Sequence, residues 1–221
     1  MIGRLQLPRL RVNNVKAIIV CGSPQLWLPE NLAGYIVGVD RGALALIERG
    51  VDFDVAIGDF DSVSEVERRW IEAKVKVMLE LPTDKGVTDC EAAVEYVVAE
   101  GYREIHLYGT TGGRFDHQFA TIGLLLKYAK RDVQIYVVDK ENSFFVMESG
   151  IYWIDIDREK YISFFALENA VKNLVLVNVK YPLAGYDLAV DDSLCVSNEP
   201  LGASVGVSFD TGYLLVVQSS D

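Results

Sequence analysis

"EIHLYGTTGGRFDHQFATIGLLLKYAKRDVQIYVV", residues 104–138, decides the fold. Its two ends, 104–109 and 133–138, are short apolar runs, and between them the apolar spacing changes to that of a helix. A strand–helix–strand unit of this kind lays its two strands side by side and parallel. The turn between the first strand and the helix holds Gly109, Gly112 and Gly113, then Arg114, Asp116 and His117. A structural turn needs only the glycine. A guanidinium, a carboxylate and an imidazole directly ahead of a helix ask for a ligand, although His117 reads equally well as a helix-start residue.

The same rhythm extends upstream. Further strands are expected at "KAIIV" (16–20), "YIVGV" (35–39), "VAIG" (55–58) and "VKVML" (75–79). Helical patterns lie between them. "RGALALIER" runs into Gly50, which suits a left-handed helix stop. "SEVERRWIEAK" carries Ser64 with Glu67 three residues on, a capping-box pairing. "TDCEAAVEYVVAEG" has Thr88 as N-cap and Gly101 as stop. The expectation is a mostly parallel, Rossmann-like α/β sheet over residues 1–140, with helices on both faces.

Beyond residue 141 the rhythm changes to six close-spaced apolar runs: "SFFVMES", "IYWIDI", "YISFFAL", "VKNLVLVNV", "SVGVSF" and "YLLVVQ". No helical period appears among them, so residues 141–221 read as an all-β sandwich domain. No Pro/Gly/Ser linker marks the boundary, and the two parts are expected to pack together.

Bulk properties exclude several classes. The chain has 221 residues and a net charge of −11, which argues against a nucleic-acid partner. Cys21, Cys90 and Cys195 are odd in number and far apart in sequence, a pattern of neither a disulfide framework nor a zinc site, so a reducing, cytoplasmic location is expected. The start "MIGRLQLPRLRVNN" is broken by Arg4, Pro8, Arg9 and Arg11 and reads as no signal peptide. No run reaches the ~18 apolar residues of a membrane span, so no membrane partner is expected.

In an open parallel sheet, ligands bind at the carboxyl ends of the strands. The residues following each expected strand there include Asp40, then Asp59 and Asp61 of "GDFDS", then Asp84, Lys85, Thr88 and Asp89 of "TDKGVTD". Arg114, Asp116 and His117 follow the next strand, and Asp139 and Asn142 the last. Asp40 or Asp139 alone reads as a turn former or cap. The pair in "GDFDS" is sharper, because two adjacent carboxylates repel unless a cation lies between them. Oxygen ligands without a Cys/His cluster suit Mg²⁺. A glycine turn entering a helix suits phosphate, and Arg114 adds a forked phosphate donor. Together they point to phosphoryl or pyrophosphoryl transfer.

With those residues in hand, the chain resembles the thiamine pyrophosphokinase family. The matching motifs are "GDFDS" (58–62), "TDKGVTDCEAA" (83–93), "GTTGGRFDH" (109–117), "KYPL" (180–183) and "VSNE" (196–199), in the family's order. The resemblance implies transfer of pyrophosphate from ATP to thiamine, giving thiamine diphosphate and AMP, with Mg²⁺. It also implies an α/β catalytic domain, a β-sandwich domain and a homodimer with thiamine near the interface. Carried onto this chain, Asp59, Asp61 and Asp89 would hold the metal and phosphates, joined by Asp40. Thr88, Gly112, Gly113, Arg114 and Asp116 would face nucleotide and substrate, and Ser197 and Asn198 would face thiamine. A carboxylate, Asp116 or Asp89, would accept the proton.

The chain departs from the family at "DRGAL" (40–44), which places Arg41 and Leu44 where the usual turn is Asp-Gly-Gly-Ala-Asn, and at "YLLVVQ", which lacks a tryptophan some members carry. Two other readings of the residues compete. A haloacid-dehalogenase-like phosphatase would use Asp59 as nucleophile and Asp61 as acid/base. A non-catalytic nucleotide or thiamine sensor would use the same site without turnover.

Overall fold

The computed structural model describes residues 16–156 and 159–221. The stretch "MIGRLQLPRLRVNN" lies outside them. In chain order the elements are β1 (Ala17–Val20), β2 (Tyr35–Val39), α1 (Arg41–Glu48), β3 (Val55–Gly58), α2 (Glu65–Lys74), β4 (Val77–Glu80) and α3 (Asp89–Ala99). There follow β5 (Glu104–Tyr108), α4 (Phe115–Ala129), β6 (Gln134–Val138), β7 (Asn142–Asp155), β8 (Tyr161–Val177), β9 (Leu183–Leu188) and β10 (Ser204–Ser219).

The ten strands of the described residues form one mixed sheet in the order β4-β3-β2-β1-β5-β6-β7-β10-β8-β9. The first six are parallel, and from β6–β7 onward every pairing is antiparallel. Alternating side chains of one strand enter different cores. Ala17 and Ile19 of β1 pack with Val94 and Val97 of α3 and Leu125 and Tyr128 of α4. Ile18 and Val20 pack with Ala43 and Leu46 of α1 and Ile71 of α2. The expected helices on both faces are thus present. Strand order reverses at β1, because the chain builds outward through β2, β3 and β4 and then crosses back to β5. Such a reversal opens a crevice at the carboxyl edge.

Local chemistry explains the helix starts. Ser64 Oγ accepts from Glu67 N at 3.4 Å and Glu67 Oε2 accepts from Ser64 N at 2.6 Å, closing the expected capping box. Thr88 Oγ1 caps α3 by accepting from Glu91 N at 3.2 Å. Gly50, at φ 66°, ends α1 in the left-handed region.

The second half continues the same sheet. The six apolar runs are legs of three long strands, β7, β8 and β10, each interrupted near its middle. Register shifts fall between Phe209 and Tyr213 of β10, and Glu168 (φ 64°), Asn173 (φ 56°) and Gly212 (φ 99°) turn the backbone nearby. A bulge bends a strand. One core joins both legs of each strand: Phe164 with Leu174, Leu214 with Val207, and Met147 with Ile154. The opposite face of the paired legs 142–148 and 213–219, at Val146 and Leu215, packs into the core shared with α4. Both faces of those legs are buried, so their sequences are continuous apolar runs rather than alternations. The expected break near residue 140 is a β6–β7 hairpin pairing Val138 with Ser143, and the sheet passes through it unbroken.

Candidate active site

Asp40, Asp59 and Asp89 follow three different strands, and one carboxylate oxygen from each lies within 4.8 Å of the others. Asp40 is the residue after β2, at φ 47°, and its Oδ1 accepts from Phe60 N at 3.1 Å. Gly58 makes room for it, because a Cβ there would overlap the Asp40 carboxylate. Burial, together with the neighbouring charges of Asp89 and Asp59, pushes the Asp40 carboxyl up to about 6.

"GDFDS" leaves β3 and turns. Phe60 is 4% exposed and anchors it in the core shared by α1 and α2, at φ 56°. Asp59 Oδ1 accepts from Asp61 N at 3.2 Å, and this bond holds the Asp59 carboxyl below the usual range. The charge of Asp59 pushes the Asp61 carboxyl up from its usual range. Asp61 therefore stands beside Asp59 but on the exposed side, outside the trio. The member that sequence reading added last, Asp40, takes its place.

Lys85 completes the cluster. Its Nζ lies 2.8 Å from Asp89 Oδ1 and 3.5 Å from Asp59 Oδ2, and donates to Pro82 O at 3.2 Å. Burial works against its charge, but the pairing with Asp89 outweighs this and holds its pKa above the ordinary value. Asp89 Oδ1 is buried, and the Lys85 ammonium is its ion-pair partner. Three converging carboxylates, with no sulfur or imidazole in the set, fit a hard divalent cation of the Mg²⁺ type.

Across the β1–β5 crevice lies the glycine turn. Gly109 (φ 70°) and Gly112 (φ 75°) need the left-handed region. In one orientation of its amide Gln118 Nε2 donates to Gly113 O at 3.4 Å; with the amide turned, its Oε1 accepts from the N–H groups of Gly112 at 3.0 Å and Gly113 at 3.3 Å. Those are the donors expected to meet phosphate, and an acceptor already rests on them. Thr110 Oγ1 is buried without a partner in the same turn. Arg114 is exposed and forks onto Asp116, Nε to Oδ1 at 3.1 Å and an Nη to Oδ2 at 2.5 Å. Each holds the other charged: the pair raises the guanidinium and lowers the carboxyl. His117 lies exposed in the first turn of α4.

The loop 23–27 after β1 closes over this turn, with Ser23 Oγ donating to Thr111 O. Its Gln25 and Trp27, with Gly112, Gln118, Asp139 and Asn142, line a cavity of about 690 Å³. Sequence reading missed this loop and Gln118, since neither carries a charge. Asp139 proves a turn former: it accepts from Asn142 N at 2.6 Å and Thr111 Oγ1 at 2.7 Å. A larger cavity, about 1140 Å³, lies at the opposite edge among Lys16, Tyr102, Arg103, Tyr136 and Trp153, and contains none of the expected site residues.

Ser197 and Asn198 belong to the other end of the strand order, Asn198 bridging to Ile162 of β8. Asn198 is 4% exposed and both ends of its amide are engaged, accepting from the N–H groups of Tyr181 and Glu199 and donating to Tyr181 O. Ser197, at φ 55°, is exposed. The structure thus gathers Asp40, Asp59 and Asp89, sets the Gly112 turn and Arg114 on the next strand ends, and leaves Ser197 remote in the order. Cys21 and Cys90, distant in sequence, are neighbours beneath the trio, and their thiol contact pushes the Cys21 thiol well up. All three cysteines are free.

Fold and rim define a class: α/β proteins that bind at the carboxyl edge of a parallel sheet, with acidic groups on one side and a glycine turn on the other. Residues 26–137 match the family "Thiamin pyrophosphokinase, catalytic domain", and residues 152–214 match "Thiamin pyrophosphokinase, vitamin B1 binding domain". Thiamine pyrophosphokinase of Bacillus subtilis is 35% identical over 210 residues, covering 92% of this chain and 98% of the relative. The crystal structure of a Bacillus subtilis thiamine pyrophosphokinase superposes with a TM-score of 0.85 at 32% identity, covering 93% of this chain and 99% of that one. That of Geobacillus thermodenitrificans gives 0.82 at 36% identity, covering 94% and 98%. The chain belongs to the thiamin pyrophosphokinase family.

Proposed function

We infer that this chain is a thiamine pyrophosphokinase, transferring pyrophosphate from ATP to the hydroxyethyl group of thiamine and releasing AMP. The observation that carries the reading is the convergence of Asp40, Asp59 and Asp89 within 4.8 Å on the binding edge of a chain of this family. These carboxylates would hold a divalent cation of the Mg²⁺ type, Asp61 joining them from the exposed side. When bound, that ion supplies neutralising charge where the phosphates gain it.

The remaining work falls to this chain's own groups. The N–H groups of Gly112 and Gly113 would cradle phosphate oxygens at the start of α4, once Gln118 yields them. Arg114 would turn from Asp116 to the departing phosphate, and Asp116 to the substrate. Thr88, besides capping α3, borders the same rim. The negative edge also suits the cationic thiazolium ring. Ser197 would meet thiamine, with Asn198 holding the turn that presents it. Because Ser197 and the trio stand at opposite ends of the strand order, a homodimer that brings one copy's turn to the other's rim suits the reading. In this scheme the segment to residue 140 is catalytic and 141–221 binds thiamine. Among the described residues no helix is long and apolar enough to cross a membrane, and a cytoplasmic enzyme is the proposal.

The test is incubation with ATP, Mg²⁺ and thiamine, resolving AMP from ADP. AMP formed together with thiamine diphosphate is expected, and Asp59→Asn should abolish nearly all of it. ADP as product would mark a simple kinase instead. Nothing in the site favours the phosphatase or the sensor.

A further inference from the structure

The ammonium of Lys85 sits where a metal-binding cluster most needs positive charge. It reaches Asp89 at 2.8 Å and Asp59 at 3.5 Å, its side chain only 13% exposed. Three carboxylates this close repel one another, and one partly buried ammonium offsets part of that repulsion. The residue lies in the segment 81–88, outside every helix and strand, so its side chain can leave without disturbing the sheet. A divalent ion bound to the same Asp89 oxygen would face the ammonium at contact distance. Like charges so placed exclude one another. Lysine is suited to such exchange, being a compact charge on a long flexible stem.

We propose that Lys85 is a displaceable counter-cation: its ammonium holds Asp59 and Asp89 together before the divalent ion arrives, leaves them when the ion binds, and is then free to pair with phosphate on the same rim. This rests on the reading of the trio as a cation seat. It makes the ordered arrival of metal and nucleotide a property of one side chain. The empty seat is kept from collapsing or flying apart, and the charge that filled it is reused on the incoming anion.

The test labels lysines of the intact protein with acetic anhydride and follows each site by peptide mass spectrometry. Lys85 should be protected in metal-free protein and become severalfold more reactive when Mg²⁺ is added without nucleotide. It should be protected again on adding a non-hydrolysable ATP analogue. As a second measurement, Mn²⁺ binding to nucleotide-free Lys85→Met should tighten by about tenfold, since no charge must be evicted, while Lys85→Arg should keep the wild-type affinity. Labelling of Lys85 that ignores Mg²⁺, in protein shown to bind Mn²⁺, overturns the proposal and leaves the cation seat standing. Failure of wild type and Lys85→Met alike to bind Mn²⁺ overturns both together. Labelling requires no variant to fold, and it is independent of thiamine turnover.

Discussion

Gly58 and Asp40 occupy complementary space at the ends of neighbouring strands: a methyl group on the glycine would overlap Oδ1 of the aspartate. Gly58→Ala should therefore swing Asp40 out of the trio while leaving β3 paired. Expected is a loss of AMP production of about 10²–10³, the scale of one lost preorganised charge. Weaker Mn²⁺ binding, read separately by titration, should accompany it. Normal kinetics in Gly58→Ala would mean that Asp40 plays no part in the site.

Asp40 also costs stability. Its folded pKa, about 6, lies above the ordinary 3.8. Ionised Asp40 is thus disfavoured in the folded state, a penalty absent below pH 3.8 and complete above about 6. Asp40→Asn removes it, so metal-free Asp40→Asn should exceed wild type at pH 7 by on the order of 1 kcal/mol. The difference should vanish near pH 4, measured by urea unfolding in EDTA. Turnover should be lost at every pH.

Asp59 and Asp61 should separate kinetically. Asp59 converges with Asp40 and Asp89, whereas Asp61 is exposed beside them. Asp59→Asn should lower kcat by about 10³ or more and Asp61→Asn by clearly less. Equal losses would place both on the ion.

Asn198 should matter for folding before substrate. Its truncation orphans the N–H groups of Tyr181 and Glu199 and the carbonyl of Tyr181. Asn198→Ala should cost about 2–4 kcal/mol in urea unfolding, given ~1–3 kcal/mol per buried unsatisfied group. Any rise in KM for thiamine should follow from the displaced Ser197 turn.

Acid stability should depend on Glu95, which ties α3 to the end of α4 through Arg131 at 2.7 and 3.0 Å and the Tyr128 hydroxyl. Arg131 holds its carboxyl at about 2, below the ordinary 4.5. Its stabilisation is present above pH 4.5 and lost as pH falls toward 2. Glu95→Gln should melt earlier than wild type at pH 6, and the two curves should meet near pH 2.

The α/β half was legible because each strand and helix carries its own local signal. Ser64 with Glu67 and Thr88 before α3 mark helix starts by side-chain bonds within one turn. The second half was harder. Its runs were seen, but a bulge such as that between Phe209 and Tyr213 depends on pairing with distant strands, so two legs read as two strands. β9 went unseen because it is largely exposed and carries no apolar run. In the site, charged residues at strand ends stood out, Asp40, Asp59 and Asp89 among them, and the family resemblance singled these out together with Asp61. Gln118 and the loop 23–27 did not, since an uncharged side chain gains meaning only from the backbone it faces. Asn198 was noticed by its motif, but its engaged amide is visible only in three dimensions.

The unbroken β6–β7 ladder has a mechanical consequence. With Tyr136, Val137 and Val138 each laced to a partner on β7, the two halves share a ladder that opposes swinging one over the other. Cargo must enter a stiff frame, and any clamping down has to come from short segments at the rim. Calorimetry should accordingly record a single endotherm.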